Sequence, residues 1–203
     1  MRYIILAAIA LIIILTLYFS SARKKEAKRE EAPAFREWGL SDLEKGGVLT
    51  ILGIDYMVDQ ICLYVSGNAE WFEAKLLGDE NEVRWMTWES DDDEEVSLTI
   101  EIDFNDTGTT PHLLEQFADE GVGETEYEGA LYRLSEASEA TFHETKNSSG
   151  RTLYYWDFSD DSGKTLGIIL WESRAYNAFA GEYVSARQVE VLRPGAGENE
   201  DSV

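Results

Sequence analysis

Between residues 48 and 192 the sequence is a succession of short β-branched and aromatic runs, each closed by Gly, Asn or Asp, and this pattern most limits the folds open to the chain. "VLTILG", "IDYMVDQICLYVSG", "EWFEAKLLG" and "VRWMTWES" come first, with "GDENE" as the loop of a hairpin. "VSLTIEIDF" alternates strictly and predicts a strand with Val96, Leu98, Ile100, Ile102 and Phe104 on one face and a solvated opposite face. A second set follows in "ALYRLSEASEATFHET", "TLYYWDFS", "TLGIILWES" and "NAFAGEYVSARQVEVL". One helix is expected between the sets, in "TPHLLEQFADEG": Thr110 caps it, Pro111 takes its first position and Gly121 stops it. A shorter turn is expected in "LSDLEKGG", with Ser41 as cap and Glu44 three residues later.

The two strand sets resemble each other. Trp71 precedes Trp88 by 17 residues, and Tyr154 precedes Trp171 by 17. Both intervals end in Trp-Glu-Ser, and "GIDYMV" (53–58) parallels "GALYRL" (129–134). Two origins fit: a tandem duplication, or the coincidences any β-meander offers. On the first, the fold class is mainly β (a β-rich α+β chain), with two similar antiparallel units at about 46–95 and 122–192. These form one soluble domain over 40–192, and Trp88 and Trp171 occupy matching buried positions.

"YIILAAIALIIILTLYF", residues 3–19, carries no charge and spans about 25 Å as a helix, slightly less than the roughly 30 Å of a bilayer core. Ser20 to Ala22 can extend it, and Arg2, Arg23 and Lys24 can reach the interfaces. A cleaved signal peptide is the rival, because "SSA" offers small residues for cleavage. The basic segment "RKKEAKR" follows the run rather than preceding it, however, which favours a retained single-pass transmembrane helix over residues 1–22. Residues 23–39 then form a basic juxtamembrane linker, and 193–203 a disordered acidic tail. The excess of Lys and Arg after the run places the domain on the cytoplasmic side of the inner membrane.

The net charge is −23, and the basic residues cluster early. Six of 17 precede residue 34, leaving 11 basic against 37 acidic residues in the remainder. Such a domain repels phosphate backbones, so nucleic acid is not expected as a partner. The acidity suits solubility, or else attraction of a cation. Cys62 is the only cysteine, which excludes an internal disulfide, and its apolar setting marks it as a buried residue. "DFNDTG" lacks the spacing of a calcium loop, and no nucleophile motif or phosphate-binding loop is present, so neither metal, cofactor nor enzymatic activity is expected.

Four acids interrupt aromatic strands: Glu73, Glu89, Asp157 and Glu172. Alternation alone would put them on a wet face. Beside Trp71, Trp88, Trp156 or Trp171 they could instead hold a cation, because a ring face and a carboxylate attract positive charge together. The candidate ligand-binding set is therefore Trp71, Glu73, Trp88, Glu89, Asp157, Trp171 and Glu172.

"WFEAKLL…VRWMTWES", "GALYRLSEASEATF", "TLYYWDFSDDSGKTLGIILWES" and "FAGEYVSARQVEVL" resemble the bacterial family labelled domain of unknown function 4178, over roughly residues 40–192. The resemblance implies no activity. It implies a context of membrane-tethered proteins and of genes for membrane-stress and polyamine-aminopropyltransferase-like proteins. The expected function is a membrane-tethered, non-enzymatic binding or scaffolding module that engages another protein, in envelope or membrane-stress maintenance. The alternative is a sensor or carrier of a cationic small molecule such as a polyamine, with an uncharacterised enzyme third.

Overall fold

The computed structural model describes residues 38–89, 95–193 and 195. The expected anchor, most of the basic linker, the acidic loop at 90–94 and nearly all of the tail lie outside these residues. Among the described residues, no helix is long and apolar enough to cross a membrane.

The strands are β1 (Val48–Ile51), β2 (Ile54–Ser66), β3 (Ala69–Leu77), β4 (Val83–Glu89), β5 (Glu95–Ile102), β6 (Glu124–Tyr127), β7 (Ala130–His143), β8 (Arg151–Ser159), β9 (Lys164–Trp171), β10 (Tyr176–Ser185) and β11 (Val189–Arg193). All pair antiparallel in one sheet, in the order β11-β1-β2-β3-β4-β5-β10-β9-β8-β7-β6. The sheet also closes on itself. Leu63, Tyr64 and Val65 of β2 pair with His143, Phe142 and Thr141 of β7, so β2-β3-β4-β5-β10-β9-β8-β7 form an eight-stranded barrel. Closure leaves no free edge within the ring.

The two halves repeat the same pairing. Val58 lies opposite Leu76 in the first, and Leu134 opposite Phe158 in the second. Each half opens with a two-residue hairpin turn whose central residues both have positive φ. These are Leu52 (52°) and Gly53 (83°) in one, Glu128 (50°) and Gly129 (76°) in the other. That geometry matches the twist of the flanking strands and favours Gly at the second position.

Each half also carries one bulge. Pairing slips between Val58 and Gln60 in β2, and between Leu134 and Glu136 in β7. An extra residue re-aims every side chain beyond it. Before the bulges, Tyr56 and Val58, like Tyr132, belong to outer cores. After them, Cys62 and Tyr64, like Ala140 and Phe142, form a third cluster with Leu153 and Tyr155. The third cluster lies within the ring, so the bulges let β2 and β7 serve both an outer core and the interior.

The first outer core joins Leu49, Ile51, Tyr56 and Val58 to Leu76, Met86, Trp88 and Leu98. The second packs helix α1 (Pro111–Glu120) through Leu114 onto Trp156, Phe158, Leu166 and Ile168. The helix follows its sequence signals: Thr110 accepts from the Leu113 N–H, and Gly121 ends it at φ 67°. Trp156 Nε1 donates to the Leu114 carbonyl at 2.8 Å and pins the helix to the barrel.

Three expectations need correction. The N-terminal turn is a 3-10 helix over Leu40–Asp42 capped at Gly39, not at Ser41, because the Asp42 carboxylate accepts the Gly39 N–H at 3.0 Å. In β5 the polar face is not simply solvated: Thr99 is buried while Ile100 is exposed, since Ser97 and Thr99 face the barrel interior. Finally, the Trp-Glu-Ser ends do not coincide. Phe72 pairs with Trp88, but Tyr154, in the position equivalent to Phe72, pairs with Leu170. Trp171 falls where Glu89 stands, one residue on and thus on the other face.

Candidate functional site

Alternate residues of the eight strands point into the barrel and line a cavity of about 370 Å³. Its wall includes Tyr64, Trp71, Glu73, Thr87, Glu89, Thr99, Glu136, Tyr155, Asp157, Thr165, Gly167, Phe179 and Tyr183. Four of the lining residues are carboxylates, and none is Lys, Arg, His or Cys.

The acids are held by their neighbours. Tyr64 O–H donates to Glu73 Oε1 at 2.9 Å, and Tyr155 O–H donates to Glu136 Oε1 at 2.5 Å. Tyr64 is itself fixed by stacking on Trp71, with ring centroids 5.4 Å apart, and Trp71 meets the Tyr155 ring edge-on at 5.4 Å. Burial pushes the Glu73 carboxyl up to about 7. The Tyr64 hydrogen bond opposes this, and the charge of Asp157 adds to it. Asp157 is likewise pushed up to about 7, by burial and then by the charge of Glu136. Asp157 keeps solvent contact, consistent with its place on the cavity wall, and this softens its shift. Glu73 is more enclosed and carries the firmer one. Burial also pushes the Cys62 thiol up to about 12, which leaves it an unreactive core group.

The basic side chains nearby are engaged elsewhere. Lys75 pairs with Asp59 at 3.0 Å. The Arg151 guanidinium lies over Phe142 and Trp171, at 4.9 and 5.3 Å from the ring centroids. The cavity therefore gathers negative charge and aromatic faces. A small organic cation meets both requirements: it neutralises the carboxylates and rests on the rings.

Of the seven candidate residues from the sequence, five border this cavity: Trp71, Glu73, Trp88, Glu89 and Asp157. The Trp88 ring is stacked on Phe72 at 5.5 Å and belongs to the first outer core, so Trp88 is part of the wall's support. Trp171 and Glu172 are not in the lining. Trp171 packs edge-on to Phe142 and donates through Nε1 to Asn177 Oδ1 at 2.8 Å. Glu172 accepts a hydrogen bond from the Thr152 N–H at 3.3 Å. Sequence reasoning missed Tyr64, Glu136, Tyr155, Thr165 and Phe179. The bulge explains Glu136: it continues the apolar parity of Tyr132 and Leu134 in sequence, and only the extra residue Ser135 turns it inward.

Residues 44–186, most of the barrel, match the family described as Domain of unknown function (DUF4178). The chain belongs to the DUF4178 family. No curated protein and no solved structure matches it. In this DUF4178 chain the matched segment contains every cavity-lining residue named above. Among the described residues, no group of three or more His, Cys, Asp or Glu side chains is arranged to hold a metal ion.

Proposed function

We propose that this DUF4178 domain is a non-enzymatic binding module whose barrel takes up a small organic cation, with polyamines as a fitting class. One observation carries the reading: Glu73, Glu136 and Asp157 converge with aromatic faces on a cavity without a basic side chain. A fixed carboxylate–aromatic site keeps much of its attraction in salt, whereas exposed charges beyond about 8–10 Å are largely screened. The test is calorimetric titration of spermidine against the full chain in mild detergent. Asp157→Asn is expected to weaken binding far more than the joint change of Asp91, Asp92 and Asp93 to Asn. Equal weakening per charge removed, or no binding at low salt, would return the acidity to solubility alone.

The uncharged run at 3–19 and its basic flank support a membrane tether with the domain on the cytoplasmic face. A C-terminal alkaline phosphatase fusion is expected to be inactive, and an active one would reverse the orientation. A scaffolding role draws support from a different place. Leu52, Ile54 and Met57 are about half exposed along the β1–β2 hairpin, which suits a protein partner. Loss of a co-purifying protein on Ile54→Asp would support that second reading.

A further inference from the structure

Thr165 is 8% exposed, and its hydroxyl oxygen has no hydrogen-bond partner. A buried hydroxyl left unpaired loses its hydration without replacement, so it ordinarily finds a partner. Thr165 lies on the cavity wall, on the same face of β9 as Gly167 and two residues before it. Gly167 is directly opposite Asp157, and Phe179 lies on its other side. A Cβ added at Gly167 would sit 3.4 Å from Asp157 Oδ1, an ordinary contact. The glycine thus keeps open a space the size of a methyl group beside the carboxylate, without being required by the backbone. Residues two apart on a strand are about 7 Å apart at Cα. A group lying between them can touch the side chain of one and the cross-strand partner of the other.

We infer that the space between Thr165 and Asp157, left open by Gly167, seats a primary ammonium group, so the barrel selects cations that carry N–H donors over quaternary ones. The inference rests on the reading of the barrel as a cation site and adds to it the head group recognised. An –NH₃⁺ offers three donors. Asp157 accepts one and neutralises the charge, and the Thr165 hydroxyl, closed off from solvent, accepts another by turning about its χ1 bond into the space beside Gly167. The seat lies beside Phe179, whose ring adds to the attraction. A trimethylammonium group carries the same charge but cannot satisfy the hydroxyl, and it needs more room.

The test compares n-butylammonium with tetramethylammonium on the full chain at pH 8, by chemical-shift titration. Thr165→Val, nearly isosteric, is expected to weaken n-butylammonium about tenfold, the effect of one charge-assisted hydrogen bond. It is expected to leave tetramethylammonium within about twofold. Thr165→Ser restores the hydroxyl and is expected to restore n-butylammonium binding. Gly167→Ala is expected to weaken both cations at least about tenfold by filling the space beside Asp157. A urea midpoint within the wild-type range for each variant separates these effects from unfolding. Equal weakening of both cations by Thr165→Val, or no effect on either, would overturn the ammonium seat while leaving the cation site standing. Failure of both cations to bind the wild-type chain would overturn the cation site itself.

Discussion

In the first half of the barrel the cross-strand row Gln60, Lys75, Trp85, Thr99 runs across β2 to β5. In the second half the corresponding row across β7 to β10 is Glu136, Asp157, Gly167, Phe179. The pairing is the same, but the side chains are opposite in kind. The first row presents an amide, a lysine tied to Asp59 and an indole that meets the Phe179 ring edge-on at 5.8 Å. The second presents two carboxylates and a glycine. An indole fills space where the second half leaves it empty, so the second half supplies the open row with Glu136 and Asp157, and Glu73 and Glu89 add two carboxylates from the first. The frame is repeated, and the two halves differ most in chemistry along this row.

The largest expected effects test the frame. Leu76 and Phe158 hold equivalent positions, each almost fully buried in its own outer core. Leu76→Ala is expected to cost about 2–5 kcal/mol and Phe158→Ala about 3–5 kcal/mol. Because closure makes one barrel of the two halves, each change should shift a single urea transition measured by tryptophan fluorescence and by circular dichroism alike. Two separable transitions would show that the halves fold independently.

Next come the two tryptophans that end the repeated motif. Trp88 is 6% exposed, whereas Trp171 is only half-buried. Trp88→Ala is expected to cost about 3–5 kcal/mol, and Trp171→Ala about 1–2 kcal/mol, in the same denaturation assay. Equal costs would contradict the one-residue offset between the motifs.

A smaller effect, of opposite sign, is expected at Glu73. Its carboxyl is raised from 4.5 to about 7, so in that interval the folded chain holds more protons than the unfolded chain. Its contribution is therefore fully present below about pH 4.5 and is lost as pH rises through about 7. Glu73→Gln removes the buried charge while Gln can still accept from Tyr64. Without ligand it is expected to stabilise the protein by about 1–3 kcal/mol at pH 8, and to change little at pH 4.5. The corresponding residue of the second half, Tyr155, supplies the contrast: Tyr155→Phe is expected to keep the pH dependence that Glu73 gives the wild type, and denaturation at the two pH values checks both.

Much of the frame was legible in the sequence. The strand runs, the capped helix and the shared "GIDYMV" and "GALYRL" starts all reflect local pattern and turn chemistry. Barrel closure was not legible, because it depends on three residue pairs between β2 and β7 that are far apart in the chain. The site was half legible. Trp71, Glu73 and Asp157 stood out as acids and rings in one strand pattern, but polar alternation reads the same whether the wet face meets bulk water or a cavity. Trp171 and Glu172 stand outside the lining because the Trp171 ring, though on the inward face, is held by Phe142 and Asn177, and Glu172 comes after the last residue of β9. Glu136 was hidden by the bulge at Ser135.

The central claim, that the divergent row and Glu73 form a cation site, is tested most directly by carbon-detected pH titration of the Glu73 and Asp157 side-chain carboxyls with and without saturating spermidine. The account predicts that Glu73 titrates near 7 in the free protein, that Asp157 titrates above the ordinary carboxylate range, and that the cation lowers both. Titration near 4 in the free protein, or midpoints that the cation leaves unmoved, would contradict it.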